Sequence, residues 1–184
     1  MKKLYCILIF LLTAFLLVSC NQSRPVRDCK VNDLLLGELD FPIGTILNQI
    51  SSPIAGQPEE SSGRTASYYD DLIYHEVSRY LSVEGAQSKF NKRRIRAFEE
   101  DNYEGPWATP SGISYSSPIA DQFFVACGNI GTKYQCRMIG QYNEYYVFFF
   151  SYLSEQGMNL EKYQEMLKKI DKKMEQCLFE EVVK

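Results

Sequence analysis

Few side chains in this sequence of 184 residues can do covalent or acid–base chemistry. His75 is the only histidine, so any Ser-His-Asp arrangement has to use it. Ser111, Ser114, Ser116 and Ser117 become nucleophiles only if the fold carries them to that ring; otherwise they are ordinary loop serines. His75 itself lies among Ile73, Val77 and Leu81 and reads as a structural residue. No P-loop, GxGxxG, GxSxG or HExxH pattern occurs. The acidic run Glu99-Glu100-Asp101-Asn102-Tyr103-Glu104 offers oxygens, but it lacks the spaced ligands and the glycine of a calcium loop. It reads as a solvated helix end. With no CxxC and no Cys/His spacing, neither a metal nor a cofactor is expected. The chain does not read as an enzyme.

The remaining reactive groups are six cysteines, and they fall into two classes. Lys2 and Lys3 precede a 15-residue apolar stretch, Leu4 to Val18, broken only by Thr13 and too short for a comfortable membrane-spanning helix. It ends in Leu17-Val18-Ser19-Cys20, which resembles the lipobox of bacterial lipoprotein signal peptides. The resemblance covers residues 1–20 only. It implies cleavage before Cys20, a thioether diacylglycerol on its sulfur and an acylated α-amine, palmitate being the expected chain. Two or three acyl chains meet the requirement for stable anchoring, so the implied location is the extracytoplasmic side of a cell membrane, on the bilayer without crossing it. Cys6 leaves with the signal. Residues 1–19 hold two lysines and no acids, so the mature chain sets 18 basic residues against 23 acidic, net −5. That balance argues against a general nucleic-acid binder.

Cys29, Cys127, Cys136 and Cys177 remain, an even number in an oxidising compartment. Gly131-Thr132 suits a two-residue type II′ hairpin turn. In that register Ile130 opposes Lys133, Asn129 opposes Tyr134, and Cys127 faces Cys136 on a non-hydrogen-bonded pair, where side chains approach most closely. Cys29 and Cys177 are then left to join the N-terminal segment to the C-terminal helix.

At 45% hydrophobic and 23% charged, the chain can bury a core. Residues 1–19 are the signal, 20–33 the lipidated cysteine and a tether, and 34–184 a single α+β domain. Leu34 to Ile50 is mixed, broken by Pro42 and Gly44, and Ser51 to Ser67 is a flexible loop by composition. Over Tyr69 to Leu81 helical and alternating patterns compete, and the β-branched and aromatic content favours a strand. Ser82 caps a helix running to about Glu99, with Ala86, Phe90, Ala97 and Phe98 as its buried face. Its exposed side carries Lys89, Lys92, Arg93, Arg94 and Arg96, readable as a solvated face or as a contact for anionic lipid or cell-wall polymer. Residues 102–120 form a long loop with Trp107. Strands follow at about 121–128, 133–142 and 145–153, with Asn143-Glu144 as the second turn. Asn159 caps a final helix in which Leu160, Tyr163, Leu167, Ile170, Met174 and Cys177 repeat at helical spacing.

The two turns assign every side chain to a sheet face. Phe123, Val125, Cys127, Tyr134, Cys136, Met138, Tyr142, Tyr145, Val147 and Phe149 share one, apolar enough to receive helices. The other carries Phe124, Ile139, Tyr146, Phe148, Phe150 and Tyr152 with Gln135, Arg137 and Gln141, too aromatic for a face left in water. Either the 34–50 segment or the 102–120 loop covers these rings, or Trp107, Phe148, Phe150 and Tyr152 form a binding surface.

This ordering of a strand-to-helix unit, a Trp-bearing loop, a Cys-to-Cys hairpin, an aromatic strand and a closing helix resembles the extracytoplasmic sensor domains of mycobacterial receptor kinases. It also resembles the α/β/α sandwiches of the Mog1/PsbP type. Such likeness is one of fold and transfers no site. The expectation is a lipid-anchored, disulfide-bonded α+β domain: an antiparallel sheet with the C-terminal helix and a second helix packed on it. Its role is binding, sensing or envelope-accessory work on an envelope protein or small ligand. Inhibition of an external lysozyme or protease through a loop such as 102–120 is the alternative, and a hydrolase using His75 is a third.

Overall fold

A computed structural model describes residues 29–51, 58–100 and 107–179. The lipobox and Cys20 lie outside the described residues, as does most of the acidic run. The elements follow as α1 (Val31–Leu34), a 3-10 turn (Glu38–Asp40), β1 (Ile46–Leu47), β2 (Glu60–Tyr68), β3 (Asp71–Arg79), α2 (Val83–Ile95) with a π turn (Arg96–Glu100), β4 (Gln122–Ile130), β5 (Lys133–Tyr142), β6 (Tyr145–Leu153) and α3 (Leu160–Phe179). The strands make one six-stranded antiparallel sheet in the order β1-β2-β3-β6-β5-β4.

That order explains the layers. Leaving β3, the chain must pass β6 and β5 to reach β4 at the far edge. α2 makes this passage across one face, and Ala86, Phe90, Ala97 and Phe98 pack on Ala126, Ile139, Tyr146 and Phe148. The β4-β5-β6 meander then returns to mid-sheet and releases α3 onto the opposite face. There Tyr163, Leu167, Ile170 and Met174 join Val125, Met138, Val147 and Phe149. The fold is therefore α+β with a helical layer on each side of the sheet.

The meander matches the sequence expectation pair by pair. Gly131 takes φ 61° and Asn143 φ 53° at the two turns, and Cys127 pairs with Cys136. Those cysteines are disulfide-bonded at a Cα separation of 4.0 Å, and Cys29 is bonded to Cys177 at 5.8 Å. Ser82 caps α2 by accepting from the Gly85 amide (3.2 Å), and the Asn159 side chain accepts from the Lys162 amide (2.9 Å) at the start of α3.

Three expectations need correction. Residues 58–67 are not loop: β2 runs through Ser61-Ser62-Gly63-Arg64-Thr65-Ala66-Ser67 between β1 and β3. Tyr74 lies across Gly63, where a Cβ would sit 2.6 Å from its hydroxyl, and the Ser62 hydroxyl bonds to Asn32 of α1. The second sheet face is covered chiefly by α2, while the 34–50 segment packs on the α3 side through Leu34, Leu35, Leu36 and Phe41. Of the 102–120 loop, Trp107 closes one edge of the α2 layer. Residues 31–33 also belong to the domain and not to a tether, since α1 starts at Val31, which is fully buried.

Chain entropy sets the worth of each bridge. It allows about 5 kcal/mol for Cys29–Cys177, which closes 148 residues, and about 2.7 kcal/mol for Cys127–Cys136, which closes nine. Replacing the first pair by serines is expected to lower the urea midpoint clearly more than replacing the second. Equal losses would mean that the long bridge does not restrain the unfolded chain.

Candidate functional site

α2 lays a row of cations over aromatic rings. The Arg93 guanidinium sits 4.5 Å from the Phe148 ring centroid, Arg94 lies 5.0 Å from Phe124, and the Lys89 ammonium lies 5.6 Å from Tyr146. Arg137 rises from β5 to stack at 4.4 Å on Trp107, donating to the Ala97 carbonyl (2.8 Å) and to Gln135 Oε1 (2.7 Å). Trp107 in turn meets Phe98 edge-on, and it crosses Gly128 so closely that a Cβ there would come within 3.1 Å. These stems bury apolar length against the sheet while Lys92, Arg94 and Arg96 keep their side chains exposed. Lys92, Arg93 and Arg94 also occupy the last turn of α2, where they complement its dipole.

Beside this row the start of α2 and the end of β3 frame an open pocket of about 250 Å³, lined by Tyr80, Ser82, Ser88, Lys89 and Lys92 among others. Two ammonium groups and three hydroxyls favour an anionic group there. Under the helix lies a buried carboxylate. Glu76 accepts from Tyr74 (3.2 Å) and from Ser78 (3.3 Å), and Ser78 bonds to Ser61 (2.9 Å). Burial and the nearby Glu76 charge push the Tyr80 hydroxyl up to about 12, so it stays a neutral donor at the pocket wall.

The sequence-named aromatics divide. Phe148 is buried beneath Arg93, whereas Phe150, Tyr152 and Trp107 are half-buried at the edges of the α2 layer, with Lys133 5.2 Å above Tyr152. The sheet face is thus the floor of the α2 layer, and the cations are what it presents outward.

His75 sits on the other face. Its Nδ1 accepts from the Leu36 amide (3.1 Å), which leaves the proton on Nε2, and Nε2 has no hydrogen-bond partner among the described residues. No serine of the 111–117 segment is hydrogen-bonded to it; Ser117 instead accepts from the amides of Ile119 and Ala120. The described residues contain no group of three or more His, Cys, Asp or Glu that could hold a metal.

Two buried carboxylates were not legible as such. Glu76 is one, and its signal was the run Tyr74-Glu76-Ser78, a polar face alternating with Ile73, His75 and Val77. Asp171 is the other. It lies on the inner face of α3 and accepts from the Tyr142 and Tyr115 hydroxyls, both at 2.5 Å. Burial, reinforced by the Asp171 charge and hydrogen bond, pushes both phenols above their ordinary range.

Burial first, then the charges of Lys173 and Arg64, pull the His75 ring from 6.5 down to about 3. The unfolded chain takes up this proton near pH 6.5 and the folded chain only near 3. Stability is therefore complete above 6.5 and falls by up to about 1.4 kcal/mol per pH unit on acidification through that window. His75→Gln, which keeps an acceptor for the Leu36 amide, is expected to flatten this acid limb in urea titrations run across pH; an unchanged slope would assign the limb to other groups. No family model matches the chain, and no curated protein matches it either.

Proposed function

We propose that the chain is a lipid-anchored, extracytoplasmic lipoprotein of a bacterial envelope whose folded domain binds rather than catalyses. The observation that carries the binding role is the α2 face. Lys89, Lys92, Arg93, Arg94 and Arg96 project from one helix, and none forms an ion pair among the described residues, where the ion pair found joins Lys173 to Asp40. Five cations close together in a mature chain of net −5 mark a local field, which is how an acidic protein meets an anionic partner. Anchoring rests on Leu17-Val18-Ser19-Cys20, and it fits a domain in which no described helix is long and apolar enough to cross a membrane. The partner class that suits this face is an anionic envelope polymer or an acidic protein patch.

A second reading, inhibition of an external hydrolase, draws support from the 107–120 loop. Gln164 accepts from the amides of Ser114 (3.0 Å) and Tyr115 (3.2 Å) and donates to the Gly112 carbonyl (2.9 Å), and Tyr115 is held by Asp171. A loop fixed before binding loses little entropy on docking, as a competitive inhibitor requires.

Two experiments separate these ideas. Cys20→Ser is expected to move the protein from the membrane to soluble or unprocessed fractions, and an unchanged distribution would sink the lipoprotein reading. Lys89→Glu with Lys92→Glu is expected to weaken cross-linking to envelope partners at least about tenfold and to reduce its salt dependence. Retained cross-linking, lost instead on Gln164→Ala, would favour the loop.

A further inference from the structure

Leu39 and Ile43 are the most exposed large apolar residues of the described chain, at 98% and 101%, and Ile46 follows at 69%. They lie within eight residues on the segment linking α1 to β2, and their exposure is imposed by well-held backbone. Phe41, between them, is buried in the core. Asp40 accepts from the Gly37 amide (2.7 Å), and Thr45 bonds to the Pro42 carbonyl through both its amide (3.1 Å) and its hydroxyl (2.7 Å). Gly44 completes the turn at φ 92°. A fully exposed leucine or isoleucine gains nothing from folding, so these side chains are placed for something outside the fold.

Their surroundings identify it. The segment is strapped to the later turns of α3: Lys169 donates to the Asp40 carbonyl, and Lys173 lies 3.5 Å from the Asp40 carboxylate. Lys168 and Lys172 are exposed on the outer side of the same turns; the exposed acids nearest in sequence are Glu38, Glu165 and Glu175. One turn beyond Lys173, Cys177 is bonded to Cys29, so the described chain begins at this end of α3. Eight residues lie between Cys20 and Cys29, a reach of at most about 30 Å when fully extended.

From this arrangement we infer that Leu39, Ile43 and Ile46, rimmed by the α3 lysines, insert into the headgroup boundary of the bilayer that holds the Cys20 lipid. The domain then rests on the membrane through the 37–47 segment. α2 lies on the opposite sheet face, turned away from the bilayer and open to partners. The inference rests on the anchoring reading for its proximity argument, and its test can fail separately.

The experiment uses the full chain reconstituted into vesicles of phosphatidylethanolamine and phosphatidylglycerol with brominated acyl chains. In a Trp107→Phe background, Ile43→Trp is compared with Leu81→Trp, an exposed position at the entry to α2. Insertion is expected to quench the first at least about twofold more than the second and to shift its emission to the blue. Equal quenching overturns the inference. The intact mass of the same sample reads the anchor independently: equal quenching with the lipid present removes the contact alone, and equal quenching without lipid removes both readings. Quenching at 43 without lipid supports the contact and rejects the anchor. Should the tryptophan chains not fold, Leu39→Asp with Ile43→Asp in a Cys20→Ser chain gives the same contrast by flotation. Loss of residual vesicle binding supports the contact, and unchanged binding overturns it.

Discussion

The pairing of β3 with β6, from Ile73 opposite Ser151 to Arg79 opposite Tyr145, is the constraint on which the other layers depend. It joins a local hairpin, β2-β3, to a local meander, β4-β5-β6, across a long separation in sequence. Once made, it leaves the intervening chain one route, over the face of β6 and β5 to the far edge. It also puts Glu76 beside Phe148 and His75 beside Phe149, so a polar strand completes an aromatic one. Two of the three buried acids of the described chain, Glu76 and Asp171, are enclosed by the helices packed around this seam. Glu76 is enclosed when α2 crosses above it, and Asp171 is enclosed when α3 descends on the other side.

Burying charge in this way is costly unless donors are supplied, and here hydroxyls supply them. Glu76 is met by Tyr74 and Ser78, and Asp171 by Tyr115 and Tyr142. The second set does positional work. One carboxylate on α3 holds a ring from the 107–120 loop and a ring from the end of β5, so loop, sheet and helix share a fixing point. Asp71 acts similarly at the start of β3, accepting from Ser154 (2.7 Å) and the Met158 amide (2.8 Å) to shape the approach to α3.

What could be read from the sequence was whatever is local. The turns Gly131-Thr132 and Asn143-Glu144 fix register by two-residue geometry, and register fixes which side of the sheet each residue occupies. The Cys127–Cys136 bridge and both face assignments therefore needed no tertiary information. The periodicity of α3 is likewise intrinsic. β2 was illegible because Ser-Ser-Gly-Arg-Thr-Ala-Ser is polar and loop-like in composition; it is a strand because β1 and β3 supply its hydrogen bonds, with Tyr74 lying across Gly63. The cover of the second face was illegible for another reason. Both proposed covers were apolar enough, and the choice was made by strand order, which no local pattern encodes. For the binding surface, the rings were visible but the helix above them reassigns their part: they support cations from below.

The Cys29–Cys177 bridge bears on how the domain carries mechanical load. A pull on the chain ahead of Cys29 does not begin by peeling α1 from the sheet. It passes through the sulfurs into α3, a 20-residue helix whose buried side is spread across the sheet, so the force arrives in shear along a broad contact. Tyr145, donating to the Cys29 carbonyl at 3.2 Å, ties the same point to β6 at the centre of the sheet. Cys29 and the last turns of α3 thus share a single strain-bearing node, and stretching the leading segment loads the most extensively packed helix rather than the weakest edge.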